Sequence, residues 1–423
     1  MSTGCTTGAL PFQGAAGHEV VARFYGGTLT SDGGAVLLRA VDRATNLLGQ
    51  FAACFTDHRD PTRVTHSVAA LVRQRVYGLA LGYEDLNDHD AIRHDPLMAV
   101  LAESADLAAP GAGKSTLNRL ELTGATVGTD ARYKKITVDH DAVDRLFVDV
   151  FVQAHPTPPT AIILDLDATD DPIHGAQEGR FFHGYYGHYC YLPLYIVGGE
   201  HLLCARLRPS DRDASAGALE EVPRIVAQLR AVWPEMAITL RTDSGFCRDA
   251  LMTWCETHAV DYVFGLAKNA RLIALITDEL AEAATADGDG TSNPRFVVTS
   301  RAIADVDART LYEAVYCARG EMENRIKEQP LMLFADRTSA AKLRANQLRL
   351  YFSSVAYLLL AALRRLGLAG TALAKAQCTT IRLTLLKIGA RIRVTVRKVW
   401  LALASGCPHA ALFAQVHADR QRW

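Results

Sequence analysis

The sequence lacks the cysteine patterns that mark zinc-binding and disulfide-rich proteins. Its nine cysteines are scattered along 423 residues, and no two of them form a CxxC pair. Neither a zinc site built on cysteine pairs nor a disulfide framework is therefore indicated. We expect reduced thiols in a cytoplasmic protein.

The sequence also has little that is typical of membrane insertion or secretion. No run of about 18 apolar residues is free of charge, so we expect no membrane-spanning helix. The first residues, MSTGCTTGALPFQG, have neither a basic start nor an apolar core, and this argues against a secretory signal. With 49% hydrophobic and 22% charged residues, the composition is that of a globular protein.

A complete phosphate-binding loop is lacking as well. The segment GAGKST at residues 111–116 resembles one, but Ala108 stands where the motif requires its first glycine. Residues 98–107 have a helical pattern, whereas the motif should follow a buried strand. We interpret the segment as a loop followed by a Ser or Thr helix cap. An NTP-dependent enzyme built on Lys114 is the weakest alternative.

Charge is distributed unevenly along the chain. Residues 337–423 contain 15 Lys or Arg and one acidic residue, Asp419, which gives this stretch a net charge of +14. Residues 1–336 contain 30 basic and 45 acidic residues, a net charge of −15. The basic tail predicts a polyanionic partner, and the acidic body predicts cations. The alternative is that the tail neutralises the body by packing on it.

Periodicity divides the chain into three parts. Residues 1–154 have helical patterns with interspersed arginines, which predict a helical N-terminal DNA-binding domain. The prolines of HPTPP at residues 155–159 form a boundary. Residues 160–336 follow the order β-β-β-α-β-α-β, a mixed sheet with helices, with a short insertion at about 269–307. Residues 337–423 form a basic, mainly helical region for DNA contact or dimerisation. The fold class is therefore α/β.

Two segments of the basic region are more specific. Residues 346–366 form a strongly apolar helix that we assign to the core. Residues 382–399 carry alternating arginines, which fit either a strand with one basic face or a basic helix.

Within residues 160–336, the segment 188–197 is predicted as one strand and 201–207 as the next, joined by a turn at Gly198-Gly199.

Acidic residues stand at the ends of predicted strands. The segment AIILDLDATDDP contains Asp165 and Asp167, which share one face of a strand near its end. Asp243 follows the strand ITLRT, and Glu323 lies on a later helix. Carboxylates that converge from different elements suit Mg²⁺ or Mn²⁺ rather than zinc. We predict that Asp167, Asp243 and Glu323 hold metal ions, with Asp165 as the rival first ligand.

The helix that carries Glu323 has a second pattern. Tyr316, Arg319, Glu323 and Lys327 are spaced by 3, 4 and 4 residues and therefore share one face. A solvated stripe of salt bridges is the simpler interpretation. A metal-ligating carboxylate between two cations also suits a phosphate backbone, because Arg319 and Lys327 could then hold phosphates.

The acidic motifs resemble those of the DDE transposases of bacterial insertion sequences. They are Asp167-Ala168-Thr169, Asp243 in RTDSGF, and Tyr316-x-x-Arg319-x-x-x-Glu323. Longer segments are similar to insertion-sequence family 1380, in the branch with a Tyr-Arg-Glu-Lys signature, and the likeness runs from Ser31 onward. These segments are DATDDPIHGAQEGRFFHGYYGHYCYLPLYI, RTDSGFCRDALMTWCE, YCARGEMENRIKEQPLMLFADRTSA and NQLRLYFSSVAYLL.

The resemblance implies a ribonuclease-H-like core and cut-and-paste transposition. The enzyme would bind the terminal inverted repeats and transfer a 3′-OH end to target DNA. Asp167, favoured over Asp165, would act with Asp243 and Glu323 as catalytic residues that hold two Mg²⁺ ions, or Mn²⁺. Tyr316, Arg319 and Lys327 would contact DNA. Double-stranded DNA, both transposon ends and target, is the expected partner of a homodimer in the bacterial cytoplasm, associated with the nucleoid.

The sequence departs from the family pattern at two places. The signature lysine is expected seven residues after Glu323, where the sequence has Pro330. Only 80 residues separate Asp243 from Glu323, because the expected β-rich insertion is reduced to a short acidic loop at residues 287–293. The alternative function is therefore a catalytically impaired remnant that binds DNA through its basic tail and helical N-terminus.

Histidines and tyrosines crowd the first hairpin of the strand region. We interpret the histidines as polar or DNA-facing residues rather than ligands, and the tyrosines as either base-stacking or ordinary sheet residues. They are His174, His183, His188, Tyr185, Tyr186, Tyr189 and Tyr191.

Overall fold

A computed structural model of the chain describes residues 8–127, 134–286 and 293–420. Within these residues the strands are β1 (Leu10–Ala15), β2 (His18–Ala22), β3 (Leu29–Thr30), β4 (Phe55–Asp57), β5 (Ile136–Val138), β6 (Ala161–Ala168), β7 (Asp171–Pro172), β8 (Phe181–His183), β9 (His188–Tyr191), β10 (Leu194–Gly198), β11 (His201–Arg206), β12 (Ala237–Thr242), β13 (Asp261–Leu266), β14 (Phe296–Thr299), β15 (Ala390–Val394) and β16 (Val399–Leu403). The predicted acidic loop lies outside the described residues except for Asn293.

The α-helices of the same residues are α1 (Val36–Thr45), α2 (Leu47–Ala53), α3 (Val68–Ala80), α4 (Asp88–Ile92), α5 (Pro96–Leu101), α6 (Lys114–Glu121), α7 (His140–Gln153), α8 (Ala218–Val232), α9 (Asp249–Thr257), α10 (Ala270–Leu275), α11 (Thr277–Ala286), α12 (Ala308–Thr310), α13 (Gly320–Leu333), α14 (Leu343–Gly367), α15 (Cys378–Ile381) and α16 (Ala410–Asp419). Gly33–Ala35, Pro61–Arg63 and Cys317–Arg319 are 3-10 turns, and Leu311–Tyr316 and Arg382–Leu386 are π-turns.

The chain forms two compact units. The first comprises residues 1–52, 59–120 and 362–423, and the second comprises 53–58 and 121–361. The two ends of the chain thus fall in the same unit. The predicted boundaries at 154 and 337 do not coincide with this division, and the functions assigned to those domains stay predictions.

The second unit contains a six-stranded mixed sheet in the order β11-β10-β6-β12-β13-β14. Strands β6, β12 and β13 are parallel, while β10, β11 and β14 run antiparallel to their neighbours. This arrangement confirms the predicted mixed α/β fold and is consistent with a ribonuclease-H-like core. Leu164, Leu166 and Leu240 on the central strands are fully buried, because helices cover the sheet.

The segment predicted as one strand from His188 to Val197 forms two. Strand β9 pairs with β7 and β8 in a small separate sheet, whereas β10 joins the central sheet. Pro193 lies between them and has no N–H to donate to a ladder, which explains the interruption. The predicted turn after β10 is confirmed, since Gly199 adopts a positive φ of 61° between β10 and β11.

The helical segment that contains Glu323 is longer than predicted. Because a proline lacks the N–H that continues a helix, the sequence predicts that this helix ends at Pro330. That prediction is wrong, because α13 continues through Pro330 to Leu333. Glu328 and Gln329 are buried, and Gln329 accepts a hydrogen bond from the hydroxyl of Ser354. We attribute the continuation to this burial, which offsets the single hydrogen bond that a proline removes. The helix ends where Phe334 turns left-handed, at φ 62°.

The N-terminal part is not all-helical. Residues 10–22 form the hairpin β1-β2, and β4 pairs with β5 in the second unit. Helix α7 also belongs to the second unit, where it packs on β11. Its apolar residues, such as Val148 and Phe151, belong to the core beside the sheet. The sequence pattern identified α7 as a helix but could not show which core it joins.

Helix α14 is the one helix of the described residues that is long and apolar enough to cross a membrane. Of its 18-residue apolar window, 83% is buried inside the protein. This burial agrees with its prediction as a core helix.

The uncertain segment 382–399 contains both kinds of structure. The π-turn Arg382–Leu386 precedes strand β15, which pairs with β16 on one side and with β3 on the other. Two glycines fix this arrangement in the first unit. A Cβ added at Gly33 would meet Ala390, and one at Gly34 would overlap the carbonyl oxygen of Leu385.

Gly34→Ala should therefore lower the free energy of unfolding by about 3 kcal/mol, because the backbone of Leu385 must move. Chemical denaturation measures the change. Gly389→Ala is the matched control, since an added Cβ there meets nothing within 4 Å and φ is not positive. Equal stability of the two variants would contradict the close packing at Gly34.

Candidate active site

Two carboxylates lie at the carboxyl ends of neighbouring parallel strands of the central sheet. Asp167 is the penultimate residue of β6, and Asp243 directly follows β12. These strands are parallel neighbours with Thr242 opposite Leu166, so the chain positions of Asp243 and Asp167 are aligned. The backbone N–H of Gly245 donates to the Asp243 carboxylate at 2.8 Å and orients it. The sequence prediction that strand ends would bring these two residues together agrees with this geometry.

The carboxylate of Asp165, the alternative first ligand, is paired with a buried arginine. Arg241 lies directly opposite it on β12 and donates from Nε and a terminal nitrogen to both carboxylate oxygens, at 2.5 and 2.7 Å. Both side chains are buried, with 8% of Arg241 and 6% of Asp165 exposed. A two-pronged pair of this kind is strong and directional. Asp165 is therefore a structural residue in this arrangement.

Arg241 also fixes the third acidic element. Its remaining terminal nitrogen donates to the carbonyl oxygen of Val315 at 2.5 Å. Val315 lies in the π-turn Leu311–Tyr316, which leads through a 3-10 turn into α13. One guanidinium thus ties together β6, β12 and the helical segment with Glu323. Sequence reasoning missed this residue, although an arginine inside a buried strand signals an acidic partner.

Arg319 lies between two of the predicted ligands. One terminal nitrogen is 2.8 Å from Glu323, one turn further along the chain, and the other is 4.0 Å from Asp167. Arg319 and Asp167 are each 17% exposed, and Glu323 is 39% exposed. The structure therefore brings Asp167, Arg319 and Glu323 to one place beside Asp243.

The carboxyl group of Asp167 is electrostatically unusual. Burial raises its pKa to about 7, and Arg319 opposes this rise, while the nearby carboxylates of Asp243 and Glu323 add to it. A buried carboxyl with a raised pKa and like-charged neighbours is typical of functional sites. Its ionised form needs an additional positive charge nearby.

A cavity of about 420 Å³ opens beside Asp243. Its lining includes three cationic side chains, Lys268, Arg295 and Arg319, together with Tyr316. Burial raises the pKa of the Tyr316 hydroxyl, and this hydroxyl packs so closely on Gly265 that a Cβ there would overlap it. The cationic lining suits a phosphate-bearing ligand. Lys268 and Arg295 belong to no sequence motif, so only their positions in the cavity lining identify them.

Divalent cations fit the donor set. The carboxylates of Asp167, Asp243 and Glu323 are oxygen groups of the kind that Mg²⁺ and Mn²⁺ prefer, and burial disfavours the charged form of Asp167. In the part of the chain that the structure describes, no three His, Cys, Asp or Glu side chains already lie close enough to form a metal site. The Glu323 carboxylate is paired with the guanidinium of Arg319 at 2.8 Å.

Four other predicted residues have different surroundings. Lys327 is exposed on α13. His174 is exposed, and His188 pairs with Asp170 at 2.8 Å. Lys114 begins α6 and contacts Asn87 and Asp90 at 3.1 and 3.4 Å, in a segment that follows a helix rather than a strand. This environment speaks against the phosphate-binding loop.

A comparison with known protein families gives one match. The family model described as "Transposase DDE domain group 1" matches residues 12–292 and 285–423, which is nearly the whole chain. A search of curated proteins finds no match.

Asp165→Asn should lower the free energy of unfolding by about 3 kcal/mol at pH 7, because it leaves Arg241 buried without its charged partner. Thermal or urea unfolding measures this loss. Asp167→Asn, two residues away on the same strand, serves as the control and should not be destabilised. A stable Asp165→Asn protein would show that the pair is dispensable.

The raised pKa of Asp167 predicts a pH-dependent stability in metal-free buffer. Between its ordinary pKa of 3.8 and about 7, the folded protein holds a proton that the unfolded chain has lost. The free energy of unfolding therefore falls as pH rises through this window. Asp167→Asn has no carboxyl group to ionise. Its free energy of unfolding should therefore exceed that of the wild type by up to about 4 kcal/mol at pH 8 and equal it at pH 4. An equal difference at both pH values would refute the raised pKa.

Proposed function

The chain belongs to the family of transposase DDE domains, group 1, and from this premise we propose that it cuts and joins DNA at the ends of an insertion sequence. The observation that carries the proposal is the meeting of Asp167, Asp243 and Glu323 around Arg319. DDE transposases in general act on DNA with divalent metal ions, so an acidic cluster beside a cationic cavity supports this assignment.

We assign roles to the residues of the cluster as follows. Asp167, Asp243 and Glu323 would hold two Mg²⁺ ions, or Mn²⁺. Bound there, these ions would activate the attacking hydroxyl and stabilise the leaving oxygen. Arg319 would hold a phosphate oxygen of the strand that is cut, with Tyr316 beside it and Lys327 further along the helix. The structural pair of Asp165 and Arg241 keeps the acidic elements in register.

The finer features of the proposal rest on the resemblance described for the sequence. They are membership in insertion-sequence family 1380 with the Tyr-Arg-Glu-Lys signature, binding of terminal inverted repeats, and cut-and-paste transfer of a 3′-OH end into target DNA. A homodimer on double-stranded DNA, in the bacterial cytoplasm and at the nucleoid, belongs to the same set. DNA as the partner agrees with the +14 charge of residues 337–423.

A second candidate function is DNA binding without cleavage. The observation that favours it is the 2.8 Å contact of Glu323 with Arg319, which occupies a predicted metal ligand. Pro330 in place of the signature lysine points the same way. A remnant of this kind would bind DNA in a salt-sensitive manner and would not nick it with any divalent ion.

Cleavage of a labelled duplex that carries the element's own end distinguishes the two candidates. With Mg²⁺ or Mn²⁺ we expect cutting by the wild type, no cutting with EDTA, and at least a 100-fold loss in Glu323→Gln, which cannot provide a negative ligand. Glu321→Gln, an exposed residue in the same helical turn, is the control and should cut normally. Binding without cutting by the wild type would support the remnant, and normal cutting by Glu323→Gln would exclude this residue as a ligand.

A further inference from the structure

The hairpin β15-β16 presents a concentrated positive face that the proposed cleavage site does not use. Its strands pair from Ala390 with Leu403 to Val394 with Val399. Arg391, Arg393, Arg397 and Lys398 are all exposed on it. Residues 337–418 contain no acidic residue. Among the described residues, none of these four cations has a carboxylate partner.

Strand alternation sorts the side chains of this hairpin onto two faces. Ala390 and Ile392 are 4% and 5% exposed and belong to the core side. Arg391 and Arg393 alternate with them and point to the opposite, open face. Trp400 lies directly opposite Arg393 in the ladder and is 51% exposed, so it shares that face.

The cations are held around the tryptophan. The guanidinium of Arg393 lies 5.8 Å from the centre of the Trp400 ring, and the amino group of Lys398 lies 5.4 Å from it. Such contacts order long side chains that would otherwise be mobile in solvent. The turn is closed by hydrogen bonds between Thr395 and Lys398, and Val396 at its tip is fully exposed.

The hairpin is anchored at its base and open beyond it. Strand β3 pairs with Ala390 and Arg391, and Thr28 just before it accepts a hydrogen bond from the backbone N–H of Ile392 at 2.9 Å. The ladder has two strands only beyond Ile392. At the base, Lys387 pairs with the buried Asp32 at 2.7 Å. The close approach to Gly33 adds a second constraint. The whole hairpin, with five residues a strand, is about 17 Å long, and its end from Arg393 to the turn is the two-stranded part.

We propose that β15-β16 is a DNA-binding ribbon that enters a groove of duplex DNA. A two-stranded ribbon fits the major groove, which is about 12 Å wide. Arg391, Arg393, Arg397 and Lys398 would contact phosphates on its two walls, while Trp400 and Val396 lie toward the groove. The proposal rests on the proposed action on DNA and identifies a surface that would position the duplex.

Fluorescence anisotropy with the full chain in EDTA tests the ribbon without cleavage. The probes are the element's own end and a shuffled duplex of equal length, titrated at several salt concentrations. Arg391→Ala/Arg393→Ala should weaken binding of both duplexes at least 10-fold at moderate salt. It should also lower the slope of log affinity against log salt by about 2, since two phosphate contacts are lost.

Lys375→Ala/Arg420→Ala is the matched control, because it removes the same charge from exposed positions of the basic region outside the ribbon. It should bind nearly as the wild type does. Equal losses in both double variants would overturn the ribbon and leave only a diffuse charge effect. Tight binding by the wild type that is unchanged in Arg391→Ala/Arg393→Ala would overturn the ribbon and leave the proposed function standing. No DNA binding by the wild type would overturn both.

A photo-crosslinking residue at Val396 keeps the test independent of charge and folding. We expect it to crosslink to duplex DNA, whereas the same residue at Ile303, which is 84% exposed in the second unit, should not. A crosslink from Val396 to a second copy of the chain, with none to DNA, would overturn the proposal in favour of a protein interface.

Discussion

The candidate site depends on one buried guanidinium. Arg241 joins Asp165 on the neighbouring strand to the backbone of Val315, so that β6, β12 and the helical segment of Glu323 are held by a single side chain. A pair of charges buried this deeply is tolerated only when its geometry is good and its hydrogen bonds are made. A slip of β6 against β12 by one residue would turn Asp165 away from Arg241. The ion pair therefore specifies the register that aligns Asp167 with Asp243.

The carboxylates of the candidate site show the opposite behaviour. Asp165 has its cation inside the fold, whereas Asp167 is buried beside two other carboxylates with Arg319 4.0 Å away. Burial without full compensation costs stability, and such a cost is typical of sites whose missing charge comes from a ligand. The same contrast applies to the basic region. Lys387 is paired with Asp32, while the cations of β15-β16 are open to a partner.

Most strands of the central sheet and the acidic residues of the candidate site were predictable from the sequence, because period-2 runs that end in Asp are local signals. The sequence placed Asp167 and Asp243 at the ends of β6 and β12, and the structure has them there. Long-range features were not predictable. The structural role of Arg241 depends on the pairing of two strands, because its partner Asp165 lies 76 residues away in the chain. The position of Pro330 inside α13 depends on the burial of the neighbouring residues, which outweighs the tendency of proline to end a helix. The hairpin β15-β16 depends on two glycines more than 350 residues earlier in the chain.

Calorimetric titration of Mn²⁺ into the metal-free protein tests most directly whether the acidic residues form one metal site. We expect binding by the wild type, its loss in Asp167→Asn and in Asp243→Asn, and its retention in Glu321→Gln, measured on folded proteins at pH 8, where Asp167 is ionised. Mn²⁺ binding of undiminished affinity in Asp167→Asn would contradict a metal site at these carboxylates, because the ion would then lie elsewhere.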